Sequence, residues 1–196
     1  MCWNAEVSLN TFIFAIIGMI IVVGLNKISY TTILFALSIS LMQLLEYYTW
    51  NNINDKDIIF KLSIIGFLII LFQILILNYG LLQGDEKIIA LIIIIIYSLF
   101  IFIYNYQNDK FKMEKGENGH LIWHYVDIPL PLLIIVFFFY IYPSIKYSYM
   151  SIFIMIIPLL ISLYYYYNYK TWGTMWCYFS NIYWLVLIIL SFNFRH

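Results

Sequence analysis

Ile88-Ile89-Ala90-Leu91-Ile92-Ile93-Ile94-Ile95-Ile96-Tyr97-Ser98-Leu99-Phe100-Ile101-Phe102-Ile103-Tyr104-Asn105-Tyr106 is a run of nineteen residues without a charge. Coiled as a helix at ~1.5 Å per residue it is about 28 Å long. That matches a hydrocarbon layer of roughly 30 Å, so the run reads as a membrane span. On its N-terminal side stand Gly84, Asp85 and Glu86, a turn signal. On its C-terminal side lies Gln107 to Gly119, the one extended hydrophilic stretch of the chain, with six charges.

Outward from this run the same reading repeats. Apolar stretches between charged or turn-forming breaks give seven spans, at about 8–25, 29–50, 58–79, 88–106, 121–142, 147–169 and 171–194. The predicted fold class is all-α, a polytopic transmembrane bundle filling one domain over residues 1–196. Composition agrees: 64% of side chains are hydrophobic and 10% charged, against about 25% charged in soluble domains. Short breaks predict antiparallel neighbours and leave no room for a soluble domain. No small-residue cleavage pattern follows the first run, which is therefore expected to stay as a span. Pro129, Pro131 and Pro158 are expected to kink spans five and six. Tyr and Trp crowd the predicted ends, as at Tyr47, Tyr48 and Trp50 and again from Tyr164 to Trp176, and form an interfacial belt.

Ten Lys and Arg balance ten Asp and Glu. No field exists to recruit nucleic acid, and the expected surroundings are the lipid bilayer, with a second copy of the chain a candidate partner. An excess of Ile (40) over Ala (4) and of Lys (nine) over Arg (one) is the bias of an AT-rich genome, such as that of a large DNA virus, a protist or a low-GC bacterium. Seven spans put the N-terminus and the loops at 51–57, 107–120 and 169–171 on one side, the N-terminal face. It carries six lysines, and the opposite face carries four Lys or Arg. The positive-inside bias then predicts a cytoplasmic N-terminus.

On this map the uncommon polar residues gather at the N-terminal face. Glu46 interrupts Leu41-Met42-Gln43-Leu44-Leu45, where a carboxylate costs up to ~2.5–3.5 kcal/mol at mid-span. It therefore reads either as an inward-facing group, a catalytic candidate with Gln43 as a hydrogen-bond partner, or as a side chain snorkelling to the headgroups. His120, His124 and Asp127, spaced i, i+4 and i+7, share a face if a helix begins by Gly119. Two imidazoles and a carboxylate have the ligand types of a zinc site, with Cys2, Glu46 and Cys177 as further ligand candidates. The plain alternatives are interfacial histidines, a capping aspartate and a cysteine that merely fills space. All of these residues are expected to reach one shallow pocket.

Familiar chemistries of multi-span proteins fail on the residues. The last span has no lysine for a retinal Schiff base, no span repeats Arg or Lys as a voltage sensor does, and no Gly-Tyr-Gly filter occurs. Phosphate loops, His-Glu-x-x-His and Gly-x-Ser-x-Gly are also missing.

The opening Met1-Cys2-Trp3-Asn4-Ala5-Glu6-Val7-Ser8, the second-span Met42-Gln43-Leu44-Leu45-Glu46, the His120-x-x-Trp123 element and the late Met175-Trp176-Cys177-Tyr178-Phe179-Ser180 resemble a family of uncharacterised multi-span membrane proteins in bacteria, algae and large DNA viruses. Its members open Met-Cys-Trp-Ser and end on a Trp-Cys-x-Phe-Ser span. The chain departs from that pattern at Asn4 and at His124, where an acidic residue is commoner. The resemblance implies that Cys2, Trp3, Glu46, His120, Trp176 and Cys177 are signature positions, and it implies no activity.

Three functions follow as expectations. The first is a structural or partner-binding membrane protein. The second is a membrane-embedded, zinc-dependent lipid hydrolase with Glu46 as general base. The third is a proton or small-solute pathway through Glu46 and His120, which the scarcity of polar residues in spans three, four and six argues against.

Overall fold

A computed structural model describes residues 4–25, 28–147 and 149–193, with backbone only at 147, 149–155 and 193. Helix α1 spans Ala5–Leu25, α2 Tyr30–Asn51, α3 Lys56–Leu81 and α4 Gly84–Gln107. Strands β1 (Met113–Lys115) and β2 (Leu121–Trp123) follow, then α5 (Leu130–Tyr147), α6 (Tyr149–Tyr166), α7 (Trp172–Ser180) and α8 (Ile182–Asn193). The fold is an all-α bundle. Five helical stretches are long and apolar enough to cross a membrane: α1, α2, α3, α4, and α7 with α8 taken together. Two shorter apolar helices, Leu130–Lys146 and Ile156–Tyr166, lie within α5 and α6.

Helix starts follow local chemistry. Ser29 caps α2 by accepting the Thr32 amide (3.2 Å), and Asp55 caps α3 by accepting those of Asp57 (3.1 Å) and Ile58 (3.0 Å). Gly84 opens α4 at φ +55°, a backbone state that glycine enters without a Cβ penalty. Helix α2 packs on α1, α3 and α7, while α3 packs on α4 and α5, so α2 and α3 form the centre. Helix α4 leans chiefly on α3, and only Ile94, Ile101 and Asn105 of its residues are buried.

The largest departure from expectation is at the fifth span. Residues 121–129 form no α-helix: Leu121–Trp123 pairs antiparallel with Met113–Lys115, in the register Met113 with Trp123, and His124–Val126 is a single 3-10 turn. Gly119, at φ +83°, and the Gly116 amide bonded to the His120 carbonyl (2.7 Å) close the hairpin. Pro129 and Pro131 then act at a helix start, where the missing amides are orphans in any case, and they do not interrupt a running helix. Pro129 also disfavours helical geometry in Ile128 before it, which keeps α5 from starting earlier than Leu130. Pro143 lies inside α5, which continues to Tyr147, and Pro158 lies inside α6.

The seventh span is also divided. At Asn181 the side-chain amide donates to the Cys177 carbonyl (2.9 Å) and the carboxamide oxygen accepts from Ser40 Oγ (3.4 Å), which separates α7 from α8. A helix that gives one carbonyl to a side chain bends there.

Candidate functional site

The hairpin caps the N-terminal face and sends two aromatic rings into the bundle. Strand alternation buries Leu121 and Trp123 and leaves Ile122 half-buried. Tyr125, one residue into the 3-10 turn, stacks on Trp123 with ring centroids 5.9 Å apart at 9°, a contact worth about 0.5–1.5 kcal/mol beyond area burial. Both rings join Met42 and Leu45 of α2, Ile59 of α3, Phe111 and Cys177 in one apolar cluster. Glycines make room for them. A Cβ on Gly66 of α3 would stand 2.3 Å from the Tyr125 hydroxyl, and one on Gly173 of α7 would stand 3.2 Å from the Trp123 ring.

Hydrogen bonds fix the cap to four helices or loops. Asn105 of α4 donates to the Tyr125 carbonyl (2.9 Å), and Thr174 of α7 to the Leu121 carbonyl (2.7 Å). Asn118 donates to Thr171 Oγ1 (2.8 Å), and Lys110 to the Asp127 carbonyl (2.6 Å).

Beneath the cap lies Glu46, with no exposed surface, accepting a hydrogen bond from Ser8 Oγ of α1 (3.3 Å). It does not snorkel. Tyr125 and Cys177 both lie within its electrostatic reach, which places these three groups together. Burial first, then the neighbouring Cys177 and Glu46, pushes the Tyr125 phenol well above its usual range. Cys177 is a buried free thiol. The hydroxyl of Tyr125 and the indole nitrogens of Trp50 and Trp123 are buried without a hydrogen-bond partner among the described residues.

His124 and Asp127 lie at the rim. The expected i, i+4, i+7 face does not exist, because a strand advances about 3.3 Å per residue and turns its side chains alternately. His120 is buried with its ring edge-on to Tyr166 of α6 (5.5 Å). His124 Nε2 pairs with Glu114 Oε1 across the hairpin (2.7 Å). Asp127 pairs with Lys170 (3.1 Å) and Lys110 (3.5 Å). It caps no helix. Burial raises its carboxyl, but the two lysines outweigh that and hold it below the ordinary aspartate value.

Among the described residues Glu46, Ser8, Tyr125 and Cys177 form one buried group, while His124 with Glu114 and Asp127 with Lys110 and Lys170 form a rim. Cys2 and Trp3 lie outside the described residues. Among the described residues no three His, Cys, Asp or Glu side chains stand close enough to hold a metal ion. His124 bonds to Glu114 and Asp127 pairs with Lys110 and Lys170, so these two expected zinc ligands face separate partners.

Sequence reasoning passed over a second set of buried polar groups. Gln73 of α3 donates to the Ser38 carbonyl of α2 (3.1 Å) and accepts from the Tyr140 hydroxyl of α5 (2.6 Å). Asn78 of α3 donates to the Phe139 carbonyl of α5 (2.9 Å), and Trp184 of α8 to Ser40 Oγ of α2 (2.8 Å). The signal available was a lone amide inside each apolar run, an expensive residue that must find a partner.

Comparisons with protein-family models, curated proteins and solved structures find no match.

Proposed function

We propose that the protein is a non-catalytic integral membrane protein with a structural, partner-binding role, its N-terminus cytoplasmic and the capped face its working surface. The supporting observation is that its buried polar side chains bond across helices: Ser8 to Glu46, Gln73 to Ser38 and Tyr140, Asn78 to Phe139, Trp184 to Ser40. Such bonds hold a bundle together where lipid offers no hydrophobic drive between helices. The cap buries Trp123 and Tyr125 against Met42 and Leu45 of α2, the helix that carries Glu46, which favours a fixed plug over an open reaction site. The excess of lysines on the capped face supports the orientation. A second copy of the chain is a partner consistent with this role.

A second reading, a proton pathway, is favoured by one observation. Tyr140 and Gln73, which border one small void with Cys177, continue the buried polar groups beyond it, and Asn78 lies further along α3. Span three is thus better supplied with inward polar groups than its composition suggested.

One experiment separates the two readings. Purified protein in liposomes enclosing a pH-sensitive dye receives a pH step, with wild type compared against Glu46→Gln. The structural reading expects wild-type leakage equal to that of empty liposomes and a lower unfolding midpoint for the variant. Flux above empty liposomes that Glu46→Gln abolishes refutes it and establishes the pathway.

A further inference from the structure

Below the Trp123–Tyr125 stack is a void of about 70 Å³, walled by Phe67 and Ile70 of α3, Ile101 of α4, Val136 of α5 and Trp176 of α7. A second void, of about 40 Å³, shares Phe67, Ile70, Ile101 and Val136 as walls and extends between α3, α4 and α5 to Tyr97 and Ser98. The two lie in line. Among the described residues no charged side chain borders either void, and the polar pair Gln73 and Tyr140 is bonded to itself (2.6 Å).

Depth and access suggest what fills this space. Ile101 is six residues from the end of α4 and Val136 six from the start of α5, which puts the shared wall roughly 9 Å inside the N-terminal face. Ile94, on the second void, is roughly 20 Å inside. The voids therefore straddle the middle of a hydrocarbon layer about 30 Å thick, the level at which the methyl ends of lipid chains lie. Tyr97 and Ser98 at the outer end are only half-buried. One hydrogen bond, from the Tyr97 hydroxyl to the Leu132 carbonyl (2.6 Å), spans from α4 to α5 there. An apolar cavity stays dry and accepts apolar guests, and its lining lacks dispersion contacts until something enters.

We propose that these joined voids bind the methyl end of a bilayer lipid's hydrocarbon chain, which enters from the membrane between α4 and α5. The space suits a few terminal carbons, since a group the size of a water molecule takes roughly 30 Å³. The headgroup stays in the bilayer. The site does not depend on whether the protein is a scaffold or a pathway, because its lining, which includes Trp123, Tyr125 and Cys177, is almost wholly apolar and does not include Glu46.

The test uses the full chain in phosphatidylcholine vesicles containing a lipid with a diazirine near the methyl end of one chain. After irradiation, adducts are mapped by mass spectrometry. The expected result is labelling of Phe67, Ile101 or Val136 in addition to the outward Ile93 and Ile96. Val136→Phe, which fills the shared wall, should reduce the internal adducts several-fold, leave the outward ones unchanged and not lower the unfolding midpoint. Ile101→Phe fills the same space from α4 and serves if Val136→Phe does not fold. Adducts confined to outward residues, or internal adducts that neither filling substitution reduces, overturn the proposal.

Discussion

Replacing Gly66 by alanine tests whether the cap is seated as described. The new Cβ would meet the Tyr125 hydroxyl at 2.3 Å, Tyr125 Cζ at 2.8 Å and Leu45 Cδ2 at 2.8 Å. Leu45 can turn aside, but Tyr125 is a rigid ring, buried and stacked on Trp123. Overpacking of this kind costs about 1–3 kcal/mol, while exchanging glycine for alanine within a helix returns about 1 kcal/mol. The net loss is therefore about 0–2 kcal/mol. Gly24→Ala in α1 is the control, since a Cβ there meets nothing within 4 Å. The propensity gain is common to both variants, so Gly66→Ala should be about 1–3 kcal/mol less stable than Gly24→Ala. Equilibrium unfolding in mixed detergent micelles, followed by near-ultraviolet circular dichroism, reads the difference. Tyr125→Phe removes the closest atom together with a hydroxyl that has no described partner; it should be neutral or stabilising alone and should restore part of the loss in the double variant. Equal stability of Gly66→Ala and Gly24→Ala, or a double variant no better than Gly66→Ala, would refute the placement of Tyr125 against α3.

Asp127→Asn should change the acid response of the cap. The lysines hold the folded carboxyl below its unfolded value of about 3.9. Its stabilisation is thus complete above that value and disappears as pH falls through the lower folded one. The pair is partly exposed, so the gain is about 0–1 kcal/mol. Hydrogen exchange at 113–126 should accelerate in wild type below about pH 4 and show no such step attributable to this site in the variant. Asn78→Leu should lower bundle stability by about 0.6 kcal/mol and at most about 1.7, by cutting the bond from α3 to the Phe139 carbonyl. Unfolding in bilayer-like micelles measures it, and a more stable variant would show that the bond contributes nothing.

The residues that made the sequence readable were those whose neighbours hardly matter. The run from Ile88 to Tyr106 is a span because nineteen uncharged residues suit hydrocarbon wherever they pack. Glu46 stood out for a related reason, since its cost in lipid requires either cover or escape to the headgroups, and the structure buries it beside Ser8. The 121–129 segment was misread because His120, His124 and Asp127 have helical spacing, whereas the deciding features were a glycine turn at 116–119 and two prolines. Pairing with Met113–Lys115 is non-local, and periodicity within the segment carries no information about it. Gln73, Asn78 and Asn105 were underrated because a solitary amide in an apolar run gives no hint of which helix it will bond.

By itself the sequence determined the class of fold, the positions of most helices and the side of the bundle on which the uncommon polar groups collect. Those are properties of single segments, set by hydrophobic length and by the cost of a charge or a proline within a helix. Only the tertiary structure decided which of those groups meet. It brought Glu46, Ser8, Cys177 and Tyr125 together under a hairpin, sent His124 and Asp127 to the rim, and left apolar voids between α3, α4 and α5. The physical reason is that hydrogen-bond partners and packing gaps depend on contacts between residues far apart in the chain, down to the missing Cβ of Gly66 that admits one tyrosine.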